Sequence, residues 1–230
     1  MRNCATTSGA WPAASSDFAS SASRAAICRV TRADAWAGSS DVGSVQTARS
    51  EWTLGWVLAN QGEFAPARER LEHAIAVLDR EEGPQSLTAA DAREPLMELL
   101  FGAEGPQGTL AVVERRLATY RAVLGERDVR TALSLSDLGV VLNELERSQE
   151  AEKAYRASAA ILDALLPASD PRVAYPHGNL AGLLRETGRL AEAEVEARKA
   201  LSIRRKALGE RHAETANTIG QLSRILLELG

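Results

Sequence analysis

The stretch LAGLLRETGRLAEAE, residues 180–194, decides the fold of this 230-residue chain. Leu180, Leu183 and Leu184 stand at offsets of 0, 3 and 4, which places them on one face of an α-helix. Gly188 follows where the end of a helix favours a left-handed residue. The small residues after it begin a second amphipathic segment. The stretch therefore predicts a helical hairpin, two helices joined by a tight turn.

The face of the first helix recurs along the chain with a 42-residue period. Four columns of small or large apolar residues keep this register. They are Ala48, Ala90, Ala132, Ala174 and Ala216; Leu54, Leu96, Leu138, Leu180 and Leu222; Val57, Leu99, Val141, Leu183 and Ile225; and Leu58, Leu100, Leu142, Leu184 and Leu226. A fixed period of this length is typical of repeat proteins built from stacked hairpins.

A second helix follows the first in each full unit, with its own apolar columns. These are Leu71, Val113, Tyr155 and Ala197; Ile75, Leu117, Ala159 and Leu201; and Val77, Thr119, Ile161 and Ile203. Helix-breaking residues mark the turn inside a unit at Gly62, Gly188 and Gly230, and the break between units at Gly83, Gly125, Pro167 and Gly209. One hairpin cannot bury its apolar faces alone, so stacked units must share a continuous core.

Within this pattern, residues 180–200 resemble the tetratricopeptide repeat. The large-small pair Leu180-Ala181, the turn at Gly188 and the small closing residues Ala193 and Ala200 carry the resemblance. The stretch LGERHAETA at 208–216 resembles the extended repeat of kinesin light chains, which adds eight residues to the usual 34. The period alone would also fit HEAT or armadillo repeats, which run about 40–47 residues.

The resemblance covers about residues 44–230. It implies an all-α fold, a right-handed superhelical solenoid of antiparallel helix pairs with about four and a half repeats. We predict units at about 44–83, 86–125, 128–167 and 170–209 and a half unit at 212–230, all within one array over 41–230.

Residues 1–40 differ from the array. They contain 11 alanines and 8 serines but no sustained helical apolar face. Such a segment cannot bury enough surface to offset its ordering entropy, which predicts a disordered leader rich in Ala, Ser and Arg. A Ser- and Arg-rich, acid-poor composition also fits an organelle transit peptide.

Composition bounds the partners and the compartment. The hydrophobic fraction is 45%, the charged fraction is 25%, and the net charge is −4, so no basic excess exists to neutralise phosphates. No apolar run approaches the ~20 residues that span a bilayer. We predict a cytoplasmic protein whose partners include neither nucleic acid nor membrane.

The residues that could carry chemistry are few and scattered. The three histidines and two cysteines lack the spacing of metal ligands: His73, His177, His212, Cys4 and Cys28. His177 shares its column with two apolar residues, which predicts a core or edge position. We predict no catalytic residues, no metal site and no cofactor, and therefore no enzyme.

Two irregularities interrupt the repeat. In the second unit Pro95 lies where the first helix is expected, and Arg116 replaces the small closing residue. Either the helix starts at Pro95, an allowed first-turn position, or residues 94–108 form a hinge. At the other end of the array, Ile225, Leu226, Leu227 and Leu229 crowd the last helix. Either the chain is a fragment of a longer array, or this surface docks on a partner or on a second copy, and we predict self-association through the C-terminal helix.

A partner is expected on the concave surface that first helices line in tetratricopeptide proteins. The resemblance directs attention to the column before the leucines, where kinesin-light-chain repeats carry Asn, and to positions one turn away. The candidate residues are Asp137, Asn143, Tyr175, Asn179, Arg185, Asn217, Gln221 and Arg224. We predict a scaffold or adaptor that binds a peptide or helix of a protein. The alternative is a regulatory or sensor segment of a larger signalling protein, such as a bacterial serine/threonine kinase or a transcriptional regulator.

Overall fold

The computed structural model of the protein describes residues 44–230, so the predicted leader at 1–40 lies outside the described residues. Every regular element within this range is helical. The elements are α1 (Val45–Asn60), α2 (Phe64–Glu81), α3 (Leu87–Leu124), α4 (Val129–Glu144), α5 (Ser148–Leu165), a 3₁₀ turn (Pro171–Val173), α6 (Ala174–Glu186), α7 (Leu190–Leu208) and α8 (Ala213–Leu229). The predicted all-α fold is confirmed over these residues.

The described residues fall into two compact units, 44–103 and 104–230. The first unit contains α1, α2 and the beginning of α3, and the second contains the rest of the chain. The pairs α1–α2, α4–α5 and α6–α7 are each joined by a short turn and packed against each other. Such short connections make the two helices antiparallel neighbours. These are the helical hairpins that the 42-residue period predicts.

A side-chain N-cap precedes the first helical segment of each repeat, and each cap lies one repeat after the previous one. In each case a side chain accepts a hydrogen bond from a backbone N–H two or three positions later. The pairs are Ser44 with Thr47 (3.2 Å), Ser86 with Ala89 (2.9 Å), Asp128 with Arg130 (2.8 Å), Asp170 with Arg172 (3.0 Å) and His212 with Glu214 (3.2 Å). An N-cap of this kind stabilises a helix by about 1 kcal/mol.

The core of each hairpin depends on a small residue in the first helix. A Cβ atom on Gly139 would lie 2.5 Å from the Tyr155 ring, and one on Gly55 would lie 2.7 Å from Cγ of Leu71. The two glycines occupy equivalent positions in their repeats, and so do their two partners. A large side chain of the second helix therefore fills the space above a small residue of the first.

The prediction that a helix starts at Pro95 is wrong. Helix α3 begins at Leu87, because Ser86 caps it there, and Pro95 is buried inside the helix. The backbone leaves the helical region at Gly105, with φ 72° and ψ −167°, a conformation that is open essentially only to glycine. This break lies within residues 94–108, and a hinge there remains a prediction that amide hydrogen exchange tests.

Glu146 occupies the column of the turn glycines Gly62 and Gly188 and has the same left-handed backbone, with φ 60°. We expect Glu146→Gly to raise the free energy of unfolding by about 0.5–1 kcal/mol. A side chain in this conformation costs about 1–2 kcal/mol, and the larger unfolded-state entropy of glycine offsets part of the gain. Urea denaturation measures the change. Glu150→Gly, inside α5, is the control and should lower stability by about 1 kcal/mol.

Candidate partner-binding surface

The eight predicted residues, called the candidate surface below, all lie in the second compact unit, residues 104–230. None of them is buried. They are carried by the three first helices of that unit. Helix α4 carries Asp137 and Asn143; α6 carries Tyr175, Asn179 and Arg185; and α8 carries Asn217, Gln221 and Arg224. Residues three or four positions apart share one side of a helix, so each helix presents its members together.

Hydrogen bonds between first helices place these residues beside one another. The Nδ2 atom of Asn179 on α6 donates to Oγ of Ser136 on α4 at 3.4 Å. Nδ2 of Asn143 on α4 donates to Oε2 of Glu186 on α6 at 3.3 Å. In both pairs the residues are 43 positions apart, one repeat plus one residue. The polar side chains of α4 and α6 therefore form one continuous surface.

The same spacing joins α6 to α8. Nε2 of Gln221 donates to the carbonyl oxygen of Gly178 at 2.8 Å, and Nη1 of Arg185 donates to Oε1 of Glu228 at 3.0 Å. A Cβ atom on Gly182 would lie 3.3 Å from Nε2 of Gln221. Glycine at this position therefore leaves room for the Gln221 side chain beside α6.

Asp137 is held by a buried arginine. Nη1 of Arg116 on α3 lies 2.7 Å from Oδ2 of Asp137, and the Arg116 side chain is 6% exposed. The guanidinium also lies 5.4 Å from the centre of the buried Tyr120 ring. The equivalent positions of the next two repeats hold the small residues Ser158 and Ala200. Arg116 thus places a long side chain at a core position, and from there it reaches the candidate surface.

Tyr175 is a neutral, half-buried member of the surface. Burial, together with the neighbouring Glu214 carboxylate, raises the pKa of Tyr175 to about 12. The guanidinium of Arg204 lies 5.7 Å from the centre of its ring. The phenol therefore remains protonated at physiological pH and is positioned by α7 and α8.

Asn217 and Arg224 differ from the other six residues. Both side chains are exposed on α8, and neither has a hydrogen bond or ion pair within residues 44–230. The amide of Asn217 offers a donor and an acceptor, and Arg224 offers five donors. These two residues are the ones best placed to bind polar groups of a ligand without breaking existing contacts.

The sequence did not single out Ser136, Glu186 and Glu228 as members of this surface, although all three accept hydrogen bonds from it. A signal was available. Glutamate recurs at 144, 186 and 228, at the repeat spacing, in the turn that ends each first helix. A column of like residues on adjacent helices predicts a shared surface even where the residues are polar.

Two features are absent from the part of the chain that the structure describes. Between Ser44 and Gly230 no group of three His, Cys, Asp or Glu side chains could hold a metal ion. In the same range no helix is both long enough and apolar enough to cross a bilayer. His177 is buried, as its column predicts, and its two ring nitrogens lie next to carboxylates of Glu196 and Asp163.

Comparison with known proteins identifies the repeat. Residues 172–230 match the family model described as Tetratricopeptide repeat. No curated protein matches the chain. The match contains α6, α7 and α8, the helices that carry six of the eight candidate residues.

Solved structures extend the likeness to most of the chain. BtubC (BKLC) from P. vanneervenii has a TM-score of 0.73 at 18% identity, with 90% of this chain and 82% of that chain covered. A Podosopora anserina chain described as kinesin light chain TPR-like repeats has a TM-score of 0.68 at 19% identity, with coverage of 81% and 89%. A Rap protein complexed with Competence and Sporulation Factor has a TM-score of 0.65 at 15% identity and covers 81% of this chain, which spans 50% of the Rap chain. The tetratricopeptide-like, kinesin-light-chain-like fold expected from the sequence is confirmed.

Proposed function

We propose that this protein is an interaction scaffold and that the candidate surface binds a peptide or a helix of a protein partner. The observation that carries the proposal is the continuous polar surface across α4, α6 and α8, joined by hydrogen bonds between residues 43 positions apart. A rigid surface of this kind costs little to organise when a ligand binds.

The charges of the surface indicate how the ligand is recognised. Asp137 is paired with Arg116 and Arg185 with Glu228, so much of the charge is balanced within the protein. The amide oxygens of Asn179 and Gln221 are not used in the bonds between helices and can accept hydrogen bonds. We infer that backbone and uncharged polar groups of the ligand meet α4 and α6, while an acidic or carbonyl group meets Arg224 on α8.

Comparison of the wild-type chain with Asn217→Ala/Arg224→Ala tests this function. The partner is first co-purified with the wild-type chain and identified by mass spectrometry, and its affinity is then measured by calorimetry. We expect about tenfold weaker binding by the double variant, because two exposed polar contacts are removed without loss of internal bonds. Lys153→Ala/Ser202→Ala, on exposed positions of α5 and α7, is the matched control and should bind like wild type.

Equal affinities of the wild-type chain and Asn217→Ala/Arg224→Ala would show that the partner binds elsewhere. A loss with the control variant alone would place the interface on the second helices. Thermal denaturation of all three proteins establishes that folding is unchanged, since none of the four substituted side chains is buried.

A regulatory segment of a larger signalling protein is the second candidate function. It is favoured by the fold shared with the Rap protein, which was solved in complex with a separate factor and of which this chain spans 50%. In that case the same surface would bind a ligand whose presence changes the activity of an attached or adjacent domain. A kinase or helix-turn-helix reading frame next to the gene would support this role. A gene that is expressed alone, with no such reading frame next to it, would favour the scaffold function. We place both functions in the cytoplasm.

A further inference from the structure

A small cavity lies between the C-terminal parts of α5 and α7, inside the second compact unit. Its volume is about 190 Å³, and it is lined by α5, the connection that follows α5, the 3₁₀ turn and α7. One wall is apolar and consists of Leu166, Ala168, Val173 and Ile203. Val173 and Ile203 are buried members of one core cluster, and Leu166 packs against the same cluster. The wall of the cavity is therefore a continuation of the core.

The repeats before and after this cavity place an ion pair at the equivalent position. An arginine near the end of the second helix contacts a glutamate five residues later, as Arg121 with Glu126 at 3.1 Å and Arg205 with Glu210 at 2.9 Å. In the repeat between them, the same two positions hold Asp163 and Ala168, which cannot form this pair. The Asp163 carboxylate instead contacts Lys199 at 2.6 Å and His177 at 3.3 Å. The space that two long side chains occupy in the neighbouring repeats is therefore left open here.

Two lysines of α7, Lys199 and Lys206, line the same cavity. One repeat earlier, the equivalent residues of α5 are Ala157 and Ala164, so the positive groups are also particular to this place. The charge of Lys199 is balanced by Asp163. Lys206 is exposed and has no hydrogen bond or ion pair within the part of the chain that the structure describes. The cavity thus combines an apolar wall with one positive charge that is available to a ligand.

We propose that this cavity binds a short aliphatic carboxylate, with the hydrocarbon chain against the apolar wall and the carboxylate next to the ammonium group of Lys206. The volume sets the length of the chain, because groups of the size of a water molecule, about 30 Å³ each, fill the cavity when there are about six of them. The positive charge selects an anionic end over a neutral one. A cation is disfavoured, since Asp163, the acidic group of the cavity, is already paired with Lys199.

This site is independent of the proposed function. None of the eight residues of the candidate surface lines the cavity, and that surface is carried by the first helices α4, α6 and α8. The cavity is formed mainly by the second helices α5 and α7 and by the connection between α5 and α6. A ligand in the cavity contacts parts of two successive repeats, so its binding stabilises their packing against each other.

Nuclear magnetic resonance of the ¹⁵N-labelled full chain, titrated with sodium hexanoate to about 20 mM, tests the site. We expect saturating shifts of backbone amides in residues 166–173 and 199–206, with a Kd of about 1 mM, because a ligand of this size makes few contacts. Hexanamide has the same chain without the charge and should bind about fivefold more weakly. Acetate has the charge without the chain and should give no saturating shifts.

Lys206→Gln isolates the contribution of the charge. This variant should bind hexanoate about fivefold more weakly than wild type and should bind hexanamide equally well. Lys153→Gln, at an exposed position of α5 that does not line the cavity, is the matched control and should bind hexanoate like wild type. Hexanoate that produces no saturating shifts, or produces them only outside the cavity, overturns the proposal. Equal affinities of wild type for hexanoate and hexanamide, or an unchanged affinity of Lys206→Gln for hexanoate, also overturn it.

Discussion

Asp137→Ala should lower the free energy of unfolding by about 3 kcal/mol, at the lower end of the range for removing one partner of a buried ion pair. Asp137 accepts from Arg116 at 2.7 Å, and the Arg116 side chain is 6% exposed. Loss of the carboxylate removes one partner of a guanidinium in the interior, which also lies against the Tyr120 ring. Urea denaturation followed by circular dichroism measures the loss.

Two further variants show whether the loss arises from the buried charge. Arg116→Ala/Asp137→Ala should recover at least half of it, because the repeat tolerates a small side chain at this position, as at Ala200. Glu210→Ala removes one partner of the exposed Arg205–Glu210 pair, at 2.9 Å, and should cost less than about 1 kcal/mol. If Asp137→Ala lowers the free energy of unfolding no more than Glu210→Ala does, groups other than Asp137 stabilise the Arg116 charge.

This result bears on the function as well as on stability. A binding defect in Asp137→Ala would be ambiguous, since the variant disturbs the α3–α4 contact as well as the candidate surface. Asn217 and Arg224 have no such internal role within the described residues, so their substitution reports on binding alone. The candidate surface therefore contains residues of two kinds, those that position the helices and those that are available to a ligand.

The repeat made much of the fold predictable. Apolar columns at the repeat spacing identify the helices, and short glycine-containing turns identify the hairpins. The error at Pro95 arose because proline was given more weight than the repeat. Ser44, Ser86, Asp128 and Asp170 also keep the repeat spacing, and this column of N-caps places the start of α3 directly after Ser86.

The details of the candidate surface were less predictable for a physical reason. Arg116 and Asp137 are 21 positions apart, which is no multiple of the repeat, so no column connects them. The length of the arginine side chain allows it to reach from a core position to the edge of the next helix. By contrast, Gln221 and Gly178 are 43 positions apart and lie on neighbouring first helices, so their contact follows from the period once the stacking is known.

After Asp137→Ala, the substitution with the largest expected effect on the free energy of unfolding in the second compact unit is His177→Leu. The His177 side chain is 4% exposed, and it connects α6 to both neighbouring second helices. Its Nδ1 atom lies 2.6 Å from Oε2 of Glu196 on α7, and its Nε2 atom lies 3.3 Å from Oδ1 of Asp163 on α5. We expect a loss of about 2–3 kcal/mol on denaturation, because Glu196 is left without this partner in a largely buried position. The equivalent positions of the neighbouring repeats hold Leu135 and Ile219, so a leucine should fit and the loss should reflect the missing polar contacts.

Acid titration separates this explanation from a simple packing defect. Burial raises the pKa of Asp163, but hydrogen bonds and charge from Lys199 and His177 lower it more, so the pKa lies below its ordinary value of 3.8. A lowered carboxyl pKa contributes stability above the unfolded-state value and loses it as the pH falls towards the folded-state value. His177→Leu removes one of the groups that lower the pKa, so its stability should fall less steeply than that of wild type between about pH 5 and pH 3. His73→Leu, which changes an exposed His–Glu pair, should leave both the stability and the pH slope within about 0.5 kcal/mol of wild type. A His177→Leu protein with an unchanged slope would show that Lys199 alone sets the protonation of Asp163.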